Sequence, residues 1–178
     1  MDYIEELHAY HEAGHALGFI THRVPISGVV IGHNSAGEGT AGGVTPMPGA
    51  LRTLFGEAGG LAVAAVTQFA GPAATDLRIA ELDPALHANA QLHTWQARDH
   101  DVFRGWQCSE VAAGRPLPRV ADLPPPDDAV DAGIGRAVDL LRPRWATVQA
   151  IAGQLLERKA LTGDEVYAVA GEQPLPLE

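Results

Sequence analysis

The sequence predicts a mainly α-helical fold with one small β-hairpin. Two observations carry that expectation. Apolar residues recur at three- and four-residue spacing over 3–22, 130–141 and 143–158, and 57–80 is an Ala-rich helical stretch. Short β-branched strand segments occur at 27–32 and 43–45, on either side of a Gly-rich stretch, 34–43, that reads as a hairpin loop. At 178 residues the chain fits one domain, 1–170, with a Pro-rich loop at 112–128 inside it and a tail, 171–178, expected to fray. With 4 Phe, 3 Tyr and 3 Trp against 20 Gly, the core must be built mainly from Ala, Val and Leu.

The first helix, 3–22, repeats Ile4, Leu7, Tyr10, Gly14 and Leu17 on one stripe. Asp2 is placed to cap it, Glu5 completes a capping box, and Pro25 marks its end. After the hairpin, Pro46 and Pro48 stop the second strand. A helix then begins near Leu51, with Gly71 and Pro72 expected to break or bend it. Pro84 is suited to open a further helix running to about Gln107. After the loop come helices at 130–141 and 143–158, the second with Trp145, Val148, Ile151, Ala152, Leu155 and Leu156 on one stripe. Leu161 to Val166 reads as a turn, a Thr cap and a last short helix.

The net charge of −10 argues against nucleic acid and anionic membrane surfaces as partners. The single cysteine, Cys108, rules out an internal disulfide and a Cys-x-x-Cys zinc site, and fits a reducing compartment. The uncharged stretch 58–75 contains Gly59, Gly60, Gln68, Gly71 and Pro72 and is mostly Ala and Val, which suits a buried helix rather than a membrane span. The N-terminus lacks the basic and apolar pattern of a signal peptide. A soluble, cytoplasmic protein is expected.

His11-Glu12-Ala13-Gly14-His15 is a His-Glu-x-x-His motif. On a helix, four residues advance the chain by about 6 Å and about 400°, so both imidazoles face one way, one turn apart. That spacing allows both to bind one Zn²⁺, while Glu12, about 100° around the helix, is placed to act as a base on water. The small residues Ala13, Gly14 and Ala16 allow another element to approach closely. A hydrolytic zinc site takes a third protein ligand from elsewhere. Cys108, His8, His22, His33, His87, His93 and the group Asp99-His100-Asp101 are the candidates, and spacing alone does not choose among them.

Residues 9–17, Ala-Tyr-His-Glu-Ala-Gly-His-Ala-Leu, closely resemble the zinc helix of the FtsH-type peptidases, the M41 family. Three segments follow in that family's order. Residues 39–48 look like its glycine-then-"GVT" strand, 70–76 are similar to its "GGRAAEE" segment, and 155–166 look like its "LLE…LxGxEV" ending. The resemblance implies an M41-like helical domain and a zinc-dependent endopeptidase. It implies Zn²⁺ held by His11, His15 and Asp101, the residue that best fits the family's Asn/Ser-Asp-Leu pattern, with Asp99 as second choice. The stretch from Asp76 to Asp101 is longer than that pattern allows for, and Asp83 lies within it.

Glu12 would be the catalytic base, and the strand at Gly42, Gly43 and Val44 would pair with an extended substrate. The chain carries no Gly-x-x-x-x-Gly-Lys-Ser/Thr loop, so flexible or unfolded polypeptides, cut without ATP, are the expected substrates. A non-catalytic or partner-specific regulatory module of the same fold is the alternative.

Overall fold

The computed structural model describes residues 3–33, 40–82, 84–119 and 124–177, and their side chains except at 33, 40–41 and 84–97. The predicted cap at Asp2, Asp83, and the side chains of His33, His87 and His93 therefore lie outside the described residues. The chain runs α1 (Tyr3–Thr21), β1 (Ile26–His33), β2 (Thr40–Pro46), α2 (Ala50–Glu81), α3 (Pro84–Ala112), α4 (Asp127–Leu141), a 3₁₀ turn (Arg142–Arg144), α5 (Trp145–Arg158), β3 (Ala160–Thr162) and α6 (Gly163–Ala170). The fold is mainly helical with a small antiparallel sheet.

α1 is the centre of the molecule. It is buried on every face from Leu7 to Ile20, except at His8. A helix sunk all round is expected in a core, and its polar members, His11, Glu12 and His15, then need a reason to be there. α2, α5, β1 and β2 all pack against it. At Gly14 a side chain would meet the Ala70 carbonyl and, at 2.6 Å, the Ala74 methyl. Glycine there lets α1 lie against α2 backbone to backbone. On the side of α1 away from the histidines, Arg78 of α2 hydrogen-bonds Glu6 through Nε at 3.0 Å and stacks over Tyr10 at 4.8 Å. That ties down the rotation of α1 about its own axis.

The sheet departs from the sequence expectation in two ways. Its order is β2-β1-β3, so the hairpin has gained a third strand. Residues 160–162, which begin before the turn read at Leu161 and include the Thr162 cap, pair with β1 in the register Gly28↔Thr162, Val29↔Leu161 and Val30↔Ala160. Three residues are too few to show a period-2 pattern. Their pairing follows from Lys159, whose left-handed φ of 66° ends α5 and turns the chain back along β1. The second correction is that the Gly-rich stretch is partly strand, since Thr40, Ala41, Gly42 and Gly43 pair with His33, Gly32, Ile31 and Val30. Val29 and Ile31 face the core and Val30, 51% exposed, faces outward.

α2 does not break at Gly71 and Pro72. The helix runs through both, and its interruption is at Gly56, where φ 69° and ψ −176° leave the helical region. A proline costs its helix one hydrogen bond, to the Gln68 carbonyl here, and packing on both sides of this buried turn outweighs that loss. Thr162 caps α6 in a capping box with Glu165, as the Thr cap in the sequence suggested. The tail from Gly171, expected to fray, is hydrogen-bonded to the α1–β1 corner. The Leu175 amide donates to the Arg23 carbonyl at 2.8 Å, and Arg23 Nε donates to the Gln173 carbonyl at 3.0 Å. Among the described residues no helix is long and apolar enough to cross a membrane.

Candidate metal centre

α1 presents His11 and His15 one turn apart on the face turned to α2 and α3, with their Nε2 atoms 3.1 Å apart. α3 brings in Asp101, 90 residues from His11 in sequence. Its Oδ2 lies 2.8 Å from His11 Nε2 and 3.3 Å from His15 Nε2. Both histidines are buried and Asp101 is nearly so.

The other ring nitrogens fix the tautomers. His15 Nδ1 donates to the Thr67 carbonyl at 2.7 Å, a group that only accepts. Thr75 Oγ1 spends its proton on the Gly71 carbonyl at 3.2 Å and so accepts from His11 Nδ1, 3.3 Å away. Each imidazole therefore carries its hydrogen on Nδ1 and turns the Nε2 lone pair inward. Two lone pairs and a carboxylate oxygen converge, an arrangement that repels itself unless a cation sits among them. Donor atoms of a tetrahedral site with bonds of about 2.0–2.1 Å are about 3.3 Å apart, close to the three separations here. These residues fit a metal ion, and the group can hold one.

Titration follows the same geometry. Burial pushes His11 down to about 4, with the Asp101 carboxylate opposing. Burial acts on His15 in the same sense, but the Asp101 hydrogen bond and the Glu12 charge outweigh it and raise His15. Burial raises Asp101, and the two imidazoles beside it overcome that and hold the carboxyl well below the usual range. Burial also drives Glu12 up to about 7, with His15 opposing.

Glu12 lies beside the three donors, under β2. A side chain at Gly42 would meet Glu12 Cδ and Cγ at 2.8 Å, with Oε1 closer still. Glu12 Oε2 is buried and has no hydrogen-bond partner among the described residues. The histidines, Glu12 and Asp101 open onto a cleft of about 530 Å³, which Gly42, Gly43 and Val44 of β2 also line. His8 and His100 stand on its wall, as do the apolar Phe19, Leu51 and Ala64.

The structure thus brings together His11, Glu12, His15, Asp101, Gly42, Gly43 and Val44. It leaves the other candidates apart. Asp99 is exposed on α3 and is not in the group. His22 packs edge-on against Phe55, and Cys108 is half-buried further along α3. Sequence reasoning missed Thr67, Gly71 and Thr75. At Gly71 a side chain would strike the His15 ring, with Cε1 at 2.6 Å and Cδ2 at 2.8 Å. These three follow one another at four-residue spacing, matching the spacing of His11 and His15 on the facing helix, and that was the available signal. No protein-family model matches the chain, and no curated protein matches it.

Proposed function

We propose that this chain is a zinc-dependent endopeptidase acting on flexible or unfolded polypeptides, of the FtsH-type kind that its motifs resemble. The observation that carries the reading is the buried Glu12 Oε2, without a hydrogen-bond partner among the described residues, beside three converging metal donors. A structural metal site closes its coordination and has no use for an uncommitted carboxylate beside its ligands in the core. A peptidase needs that group to take a proton from the attacking water and hand it to the leaving amine. A Zn²⁺ held by His11, His15 and Asp101 would supply polarisation of the scissile carbonyl and acidify water.

β2 supports the substrate side of the reading. It is an edge strand in the described sheet, and Gly42, Gly43 and Val44 of it line the cleft. An extended peptide adds to such an edge main chain to main chain, which suits an unfolded substrate and excludes a stably folded one. Gly42 leaves the Glu12 carboxylate room directly under the strand.

The test is Glu12→Gln, which keeps size and shape and removes the base. Zinc stays bound at about one per chain, because Glu12 is not among the donors, and turnover of a flexible peptide falls by about 10² or more. Full activity in this variant would remove Glu12 as the base. A wild-type protein that holds zinc but cuts no flexible peptide would favour the non-catalytic module.

A further inference from the structure

We infer that His100 is a positioning residue that keeps Asp101 turned toward the metal donors by one oxygen, so that the centre retains an open position. The inference rests on the metallopeptidase reading above and adds to it a residue that none of the motif logic requires.

The two oxygens of Asp101 have different surroundings. Oδ2 is the inward one, 2.8 Å and 3.3 Å from the two Nε2 atoms. Oδ1 is turned to His100, whose Nδ1 lies 3.3 Å away. His100 is two-thirds exposed and Asp101 is 15% exposed, so the imidazole reaches from the cleft wall to a carboxylate already inside. A carboxylate oxygen only accepts when ionised, so His100 Nδ1 is the donor.

The consequence concerns ligand count. A carboxylate binds a metal through one oxygen or both, and a hydrolytic zinc centre keeps three protein ligands and one open position. Asp101 using both oxygens would take that position. Engaging Oδ1 with a hydrogen bond from His100 makes it a poorer ligand and fixes the rotation of the carboxylate, leaving Oδ2 alone to face the imidazoles. Hydrogen bonds to ligating groups commonly have this orienting role. His8 shares the cleft wall, but it sits on α1 with the ligand histidines and not beside Asp101 in the chain.

The test uses Co²⁺ in place of zinc and needs no substrate. Co²⁺ affinity is measured by chelator competition, and the visible ligand-field bands report coordination. Wild type, His100→Ala and His100→Asn are compared, Asn keeping an N–H donor. His100→Ala is expected to bind Co²⁺ about 10- to 100-fold more weakly, with weaker, shifted bands, and His100→Asn to recover most of both. Because His100 is largely exposed, circular dichroism and the thermal midpoint of the metal-free protein should not change. Bands and affinity within twofold of wild type in His100→Ala would overturn the inference and leave the metallopeptidase reading standing. So would a loss in His100→Ala that His100→Asn does not recover. A wild type that binds no Co²⁺ at one per chain would overturn both.

Discussion

Replacing Gly71 by alanine tests the metal centre without touching a donor. The new methyl would lie 2.6 Å from His15 Cε1 and 2.8 Å from Cδ2. Ordinary carbon contacts begin near about 3.5 Å, so the ring must retreat by about 0.9 Å. It cannot do so freely, because Nδ1 is held by the Thr67 carbonyl at 2.7 Å and the residue is 8% exposed. Metal ligands tolerate displacement of about 0.2 Å.

The retreat is several times that tolerance, so zinc affinity should fall at least about 10²-fold, or about 2.8 kcal/mol. The fold itself should change little. Alanine is a better helix former than glycine by about 1 kcal/mol, against an overpacking cost of about 1–3 kcal/mol. Zinc affinity by competition with a chromogenic chelator, beside the thermal midpoint of the metal-free protein, separates the two effects. Gly153→Ala on α5 is the control, since a methyl there meets nothing within 4 Å among the described residues. It should leave zinc binding unchanged and add up to about 1 kcal/mol of stability. Wild-type zinc affinity in Gly71→Ala would refute the placement of His15 against α2.

Gly42→Ala sets a methyl against the Glu12 carboxylate, within 2.8 Å of Cδ. It should keep zinc and lose at least about tenfold in peptide turnover, the mark of a displaced base. Asp101→Ala removes one of three donors, and elemental analysis should find the zinc largely lost, whereas Asp99→Ala, exposed and outside the group, should retain it. The opposite order would mean that the other carboxylate is the ligand.

The sequence by itself determined what local spacing controls. The helix of His11 and His15 is set by periodicity over a few turns, and an i, i+4 pair on any helix faces one way. The Thr162 cap and the Pro84 helix start are local in the same sense. The tertiary structure decided everything that depends on how elements dock. Asp99 and Asp101 stand about 200° apart on α3, so the docking angle of that helix chooses between them, and no spacing rule does. The anchors Thr67 and Thr75 act only because α2 lies against α1 at Gly14. The third strand formed because β1 had a free edge where α5 ended, not because residues 160–162 carry a strand pattern. Pro72, which local propensity reads as a break, stays helical in a buried turn, while Gly56, with nothing among the described residues within 4 Å of where a side chain would stand, takes the kink. Local preferences are worth about 1–3 kcal/mol, and burial of a core helix outweighs them.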